Sequence, residues 1–174
     1  MPKPSAADLQ AAAKALDLAG FDYQVVLDPT LGTIRLNLDS KVAPGHVRNM
    51  VALAESGYYD GGCFHRIIKG FMIQGGCPEG TGTGGPGYRI AAEFNDTPHD
   101  KGIVSLAHGD DPGSGDTSFF VVTARTPVLD GKYTAFGRVA EGMDVIEKIE
   151  QVPVNGETPV MRVELKKVTV FKQP

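Results

Sequence analysis

Apolar and polar residues alternate over several short runs of the chain, and this alternation predicts β-strands. Turn residues such as Pro29, Gly32 and the Asp130-Gly131 pair separate the runs. The predicted strands are, in chain order, 23–27, 32–38, a hairpin over 64–76, 103–107, 118–123, 133–139 and 160–171. Many short strands with few helices between them indicate a β-barrel or sandwich with helical caps, and they disfavour a doubly wound nucleotide-binding sheet.

Three segments have apolar residues at helical spacing instead. Ser5 is a candidate N-cap, and it opens an alanine- and leucine-rich stretch that is predicted to be helical until near Gly20. Pro44 suits the first turn of a second helix, which Gly57 ends, and residues 143–149 form a third. We therefore expect an N-terminal helical extension at 1–20 and one domain at 21–174. The extension is interpreted either as a docking helix for a partner or as a helix packed on its own domain.

Composition narrows the class of protein. The chain has 174 residues, of which 41% are hydrophobic and 22% charged, as expected for one globular domain. The net charge is −4 and the Lys and Arg residues are scattered, which disfavours nucleic-acid binding. No apolar run has the length of a membrane span, and the first residues lack the apolar core of a secretory signal. These features predict a cytoplasmic protein that is monomeric by default.

Several motifs of cofactor or covalent chemistry are missing from the sequence. Residues 75–87 hold seven glycines in 13 residues, but the run lacks the Gly-Lys-Ser/Thr ending of a phosphate-binding loop. It is better interpreted as an irregular loop. The chain has no Gly-x-Ser-x-Gly and no His-Glu-x-x-His motif, and its histidines and cysteines lack metal-ligand spacing. We expect no cofactor and no metal site.

The stretch FHRIIKGFMIQGG, residues 64–76, holds one arginine in an otherwise apolar run. A hairpin that turns at Gly70 places Arg66 opposite Gln74, with Phe71 and Met72 near both. Such a set of side chains suits a groove better than a sealed core. The same register would pair Cys63 with Cys77 on the other face of the hairpin. Two buried thiols are the ordinary interpretation of this pair, and a reversible redox disulfide is the alternative.

Together with GTGG, GIVSLAH and SFFVVTARTPVLDGKYTAFGRVAEGMDVI, the stretch 64–76 resembles the cyclophilin family of peptidyl-prolyl cis/trans isomerases. The resemblance covers about residues 23–171. It implies a closed eight-stranded antiparallel β-barrel capped by two α-helices. It also implies an enzyme that accelerates rotation about X-Pro bonds and assists protein folding. The implied partners are proline-containing peptides and unfolded proteins.

The resemblance also implies roles for individual residues. Arg66 would stabilise the twisted prolyl amide, and Gln74 would orient it. The implied substrate-binding residues are Phe71, Met72, Ala107, His108, Ser118, Phe120, Leu129 and Tyr133. Gly82 and Thr83 would border a secondary groove for the residues that precede the proline. Strand alternation places Phe119, unlike Phe120, in the core.

Four positions depart from the pattern of the family. Ser118 stands where glutamine is usual, Val128 where many members have tryptophan, Tyr133 in place of histidine and His108 in place of asparagine. Without an indole at Val128, binding of the inhibitor cyclosporin is expected to be weaker. The loss of glutamine at Ser118 leaves a second hypothesis, a peptide-binding module with little turnover. The presence of Arg66 favours the enzyme, because a binder would not need that donor.

Overall fold

The computed structural model describes residues 2–82 and 84–174. Within this part of the chain the helices are α1 (Ala6–Lys14), α2 (Pro44–Glu55) and α3 (Met143–Glu150). The first seven strands are β1 (Asp22–Pro29), β2 (Ile34–Leu38), β3 (Gly62–Ile68), β4 (Met72–Gly75), β5 (Ile103–Leu106), β6 (Phe119–Val122) and β7 (Ala135–Glu141). The last three are β8 (Val154–Asn155), β9 (Thr158–Pro159) and β10 (Val163–Gln173).

Eight of these strands form a closed barrel in the order β1-β10-β3-β4-β6-β5-β7-β2, and every neighbouring pair is antiparallel. The predicted eight-stranded antiparallel barrel is therefore confirmed. Closure leaves no long exposed sheet edge, which is the usual weakness of an all-β structure. The strands β8 and β9 stand apart from the barrel as a small two-stranded sheet.

The core of the protein follows the sequence alternation. In β1 the side chains of Tyr23, Val25 and Leu27 are buried, and the residues between them are more exposed. The helix α2 adds a stripe of buried side chains to the same core, including Met50 and Leu53. Full burial of one large aliphatic side chain contributes about 1.5–3 kcal/mol. The helix α2 packs on β1 and β10, so burial of this stripe contributes to the stability of the barrel.

The start of α2 is held by a residue far away in the sequence. The helix begins at Pro44, as predicted, but its N-cap residue Ala43 has no side chain that could accept a hydrogen bond. The carboxylate of Glu93 takes this role. It accepts hydrogen bonds from the backbone N–H groups of Gly45 and His46, at 3.1 and 2.8 Å. A distant loop thereby satisfies donors that every helix N-terminus leaves unpaired.

The helix α1 is shorter than predicted. Ser5 is its N-cap, and its hydroxyl accepts a hydrogen bond from the Asp8 N–H at 3.2 Å. The helix ends at Lys14, not near Gly20, and Arg48 of α2 donates hydrogen bonds to the carbonyl groups of Ala13 in α1 and Leu16 just beyond it. Leu9 is buried in the main core. The extension is thus a helix packed on its own domain.

The end of the chain also differs from the prediction. The last strand begins at Val163, not at position 160, because the Val160 N–H donates to the Pro153 carbonyl and closes the β8–β9 hairpin. Val160 and Met161 are 65% and 82% exposed. The hairpin itself was not predicted, since strands of two residues are too short to show alternation. Among the described residues, no helix is long and apolar enough to cross a membrane.

Candidate active site

A cleft of about 120 Å³ lies where the β3–β4 hairpin meets β6 and the loops after β5 and before β7. It is small beside the roughly 300–1,000 Å³ of sites that take drug-sized ligands. The residues that line it are Arg66, Phe71, Met72, Gln74, Ala107, His108, Phe120, Leu129 and Tyr133.

The polar side of the cleft comes from the β3–β4 hairpin. Arg66 pairs with Gln74 in the strand register, as predicted. The hairpin turns at Gly70, whose φ of +77° suits glycine, and its N–H donates to the carboxylate of Glu150 in α3 at 2.9 Å. One Nη1 donor of Arg66 lies 3.4 Å from the amide oxygen of Gln74. The turn and the end of α3 thus fix the hairpin that carries the guanidinium.

The guanidinium has a second partner that the sequence did not reveal. The Nε of Arg66 lies 2.5 Å from a carboxylate oxygen of Glu157, in the turn between β8 and β9. Arg66 is 42% exposed at its side chain, and Glu157 is 51% exposed. Arg66 is therefore an accessible cation at the edge of the cleft. It is not a buried charge.

The apolar floor of the cleft is a cluster of buried side chains separate from the barrel core. The cluster comprises Met72, Phe120, Val122 and Leu129, and Ile68, Phe71, Ala107 and Tyr133 pack against it. Phe120 meets Tyr133 edge to face, with ring centroids 5.6 Å apart. Phe119 belongs to the main core, so the predicted division between the two phenylalanines is confirmed.

One end of the cleft is closed by two stacked rings. The imidazole of His108 lies on the ring of Tyr133, with centroids 4.2 Å apart and planes at 16°. The two ring nitrogens of His108 are 2.7 and 2.9 Å from the carbonyl oxygens of Gly109 and Lys132. These contacts fix the imidazole as part of the cleft wall.

Beneath Phe120 lies a second histidine, which is almost fully buried. His99 stacks on Phe120, with centroids 6.4 Å apart. Its ring nitrogens are 3.1 Å from the carboxylate of Asp130 and 2.7 Å from the hydroxyl of Ser105. Ser105 is fully buried, so this group of a serine, a histidine and an aspartate cannot contact a substrate. It supports the cleft from behind. Burial lowers the pKa of His99, although its contact with Asp130 opposes the shift.

His65, the neighbour of Arg66, is partly buried and does not line the cleft. Burial, and secondarily the charge of Arg66, lower the pKa of its imidazole. A neutral ring beside the guanidinium avoids repulsion between two cations.

Nine residues predicted for the site thus surround one cleft, whereas Ser118 and Gly82 do not line it. Ser118 precedes β6, is not part of the lining, and accepts a hydrogen bond from the Ala107 N–H through its carbonyl at 2.8 Å. Gly82 lies in the glycine-rich loop beside His65. Thr83, the other residue of the predicted secondary groove, lies outside the described residues.

The predicted register of Cys63 with Cys77 is wrong. A bulge at His65 shifts the pairing, so that Phe64 lies opposite Gly75, and β4 ends before Cys77 is reached. Both cysteines are buried and neither is in a disulfide. Burial raises the pKa of the Cys63 thiol, which disfavours the reactive thiolate. The hypothesis of a redox pair between Cys63 and Cys77 was based on that register, and the structure does not have it.

The cleft as a whole offers a fixed cation and a small apolar surface side by side. Within the described ranges, 2–82 and 84–174, no cluster of three or more His, Cys, Asp or Glu side chains could hold a metal ion. Such a cleft suits a ligand with a small ring next to a neutral hydrogen-bond acceptor.

Comparison with protein families gives a match over most of the chain. Residues 24–170 match the family model described as cyclophilin type peptidyl-prolyl cis-trans isomerase/CLD. The helix α1 lies before the matched region.

Individual relatives agree with this match. A peptidyl-prolyl cis-trans isomerase of Synechococcus elongatus is 49% identical over 118 residues, which cover 68% of this chain and 81% of the relative. A peptidyl-prolyl cis-trans isomerase-like 1 protein of Neurospora crassa is 42% identical over 156 residues, covering 86% and 94%. The crystal structure of a Cryptosporidium parvum cyclophilin-type isomerase, determined in the presence of the dipeptide Ala-Pro, superposes with a TM-score of 0.82. It is 31% identical, with 85% of this chain and 98% of that chain covered.

Proposed function

The chain belongs to the cyclophilin-type peptidyl-prolyl cis-trans isomerases, and we propose that it holds the twisted prolyl amide with the guanidinium of Arg66. Rotation about an X-Pro bond must break amide resonance, against a barrier of about 18–20 kcal/mol. No bond to the substrate has to form. The catalyst needs only to bind the twisted amide better than either planar isomer.

The chemistry of the twisted amide explains the choice of arginine. When conjugation is lost, the prolyl nitrogen regains a lone pair and becomes a hydrogen-bond acceptor. A guanidinium is always protonated and presents its donors in a rigid fork, so it stabilises this acceptor without giving up a proton. The single observation that carries the proposal is the position of Arg66 among the residues that line a small cleft, next to its apolar floor. Gln74 contacts the same guanidinium and would help to orient it.

The apolar floor would receive the proline ring. Met72, Phe120 and Leu129 are each less than 10% exposed, and they offer a rigid surface of small area. The backbone beside Ala107 and His108 would run along the extended substrate. This mode depends on main-chain groups and therefore accepts many sequences around the proline.

We propose proline-containing peptides and unfolded proteins as substrates, and assistance of protein folding as the role. An uncatalysed X-Pro bond takes tens to hundreds of seconds to isomerise, which is slow enough to limit folding. The cleft is open on the barrel surface and would contact only the few residues around a proline, so it can act on a segment of a chain that has not yet folded.

We also propose that cyclosporin binds this chain weakly. Val128 is 64% exposed in the short 3-10 turn Pro127–Leu129, next to a residue of the cleft wall. Its small side chain offers neither an indole donor nor a large apolar face to an inhibitor at the rim.

The experiment that tests the proposed mechanism is prolyl isomerisation of short X-Pro peptides by the natural protein and by Arg66→Ala. We expect kcat/KM to fall about 100-fold or more, the loss typical of removing one donor to a developing charge. Arg35→Ala is the matched control, since Arg35 also pairs with a glutamate on the barrel surface but does not line the cleft. Equal activity of natural protein and Arg66→Ala would overturn the mechanism. Negligible turnover in both, with measurable peptide binding, would favour the peptide-binding module.

A further inference from the structure

A backbone hydrogen bond attaches the β8–β9 hairpin to β3, the strand that carries Arg66. Gly156 and Glu157 form its turn, and the φ of +67° at Gly156 permits the tight reversal. The N–H of Ile67 donates to the Glu157 carbonyl at 2.7 Å. Ile67 follows Arg66 in β3, so this bond holds Glu157 beside the guanidinium through the backbone.

The side chain of Glu157 then provides the shorter of two contacts to Arg66. The distance from Nε to the carboxylate is 2.5 Å, whereas Nη1 is 3.4 Å from the Gln74 oxygen. A distance of 3.4 Å is at the long end for a hydrogen bond, so Gln74 alone would restrain the guanidinium poorly. Arginine also has about 2 kcal/mol of rotamer entropy to lose, and this one is 42% exposed.

We propose that Glu157 is a positioning residue for the isomerase reaction. Its carboxylate accepts a hydrogen bond from the Nε–H of Arg66 and fixes the plane of the guanidinium. Among the described residues, the Nη2 donors and one Nη1 donor have no protein acceptor, and they are left for the prolyl amide. The inference rests on the proposed function, because it requires Arg66 to be the donor to the twisted amide.

A role in positioning differs measurably from a role in stability. An ion pair this exposed contributes about 0–1 kcal/mol to the free energy of unfolding, so its loss leaves the fold intact. Orientation of the donor matters mainly in the transition state, since the planar amide nitrogen of the bound substrate is a poor acceptor. The effect should therefore fall on kcat, with peptide binding little changed.

The test compares Glu157→Ala and Glu157→Gln with the natural protein on an uncharged X-Pro peptide. We expect kcat/KM to fall about two- to fivefold in Glu157→Ala, the size of effect of one partly exposed ion pair. The peptide Kd should change less than about twofold. Glu157→Gln keeps an acceptor for Nε–H without its charge and should lose less. The difference in kcat/KM between Glu157→Gln and the natural protein should become smaller in 1 M salt, which screens the ion pair.

Two further variants separate this inference from the proposed function. Glu147→Ala breaks a comparably exposed ion pair with Lys101, away from the cleft, and should leave kcat/KM unchanged. In an Arg66→Ala background, Glu157→Ala should cause no additional loss. Unchanged or raised activity in Glu157→Ala would overturn the inference, as would an equal loss in both backgrounds. If Arg66→Ala itself keeps full activity, the proposed function fails first.

Discussion

Arg66 and Val128 illustrate how single residues set the character of the cleft. Arg66 provides an accessible, permanently charged donor within hydrogen-bond distance of two side chains. Val128 is exposed in the turn next to Leu129 and has a small side chain. The first residue carries the proposed chemistry, and the second is proposed to weaken the binding of a large inhibitor.

The proposed weakness of cyclosporin binding leads to a gain-of-binding prediction. Val128→Trp should tighten cyclosporin binding about tenfold, because an indole adds apolar area and one N–H donor at the rim. Isomerase activity on short peptides should stay within about twofold, since the residue does not line the cleft. Inhibition of peptide isomerisation by cyclosporin measures both quantities. Val128→Leu is the control for added size without the indole, and equal inhibition of the two variants would contradict the prediction.

At the scale of elements, the parts of the site that lie close in sequence were predictable. The turn glycine at Gly70 and the alternation on both sides of it fix a local hairpin, so the pairing of Arg66 with Gln74 could be predicted from FHRIIKGFMIQGG. The register further out could not. The bulge at His65, where β3 pairs with both β4 and β10, shifts the register so that Cys63 and Cys77 are not paired as predicted.

Contacts between distant elements left no pattern in the sequence. Glu157 is 91 residues from Arg66 in the chain, and Glu93 is 47 residues from His46. Hydrophobic period and turn composition describe neighbours within about a dozen residues. A glutamate in a polar turn therefore gives no sign of the arginine or the helix end that it meets. The resemblance to a family supplied the cleft residues but not these two carboxylates.

Glu93 provides a test of how one element holds another. Glu93→Ala should lower the free energy of unfolding by about 1–2 kcal/mol, the upper range for loss of a helix N-cap. Urea denaturation at neutral pH measures the change. Glu55→Ala, at the opposite end of α2, is the control with opposite sign, because removing a negative charge near a helix C-terminus is neutral or slightly stabilising. A stability of Glu93→Ala within about 0.3 kcal/mol of the natural protein would exclude the capping role.

At the scale of the whole molecule, buried polar groups connect the candidate active site to the stability of the barrel. His99 bridges Asp130, in the loop before β7, and Ser105 of β5, and it supports Phe120 from behind. Arg125 in turn pairs with Asp130 and Asp100 on the surface. The arrangement holds a neutral imidazole under the floor of the cleft, so protonation of that ring should lower the free energy of unfolding.

The pH dependence of stability follows from the lowered pKa of His99. Its pKa in the folded state lies below the value of 6.5 that it regains on unfolding, so the unfolded chain binds more protons in the interval between. Stability from His99 is therefore complete above pH 6.5 and is lost as the pH falls below it. His65, whose pKa is also lowered, adds to the same loss.

Urea denaturation between pH 7.5 and 5.5 should accordingly show a falling free energy of unfolding in the natural protein. In His99→Gln the decline should be shallower, because the amide replaces the ring's hydrogen bonds and does not titrate. The double variant with His65→Gln should be shallower still, even if both variants are less stable at pH 7.5. Burial raises the pKa of the Glu93 carboxylate, but hydrogen bonds from His46 and Gly45 outweigh this effect and lower the pKa. The contribution of Glu93 to stability therefore changes only below about pH 4.5, outside the pH range of this experiment. An equally steep decline in the double variant would show that neither ring is kept neutral by the fold.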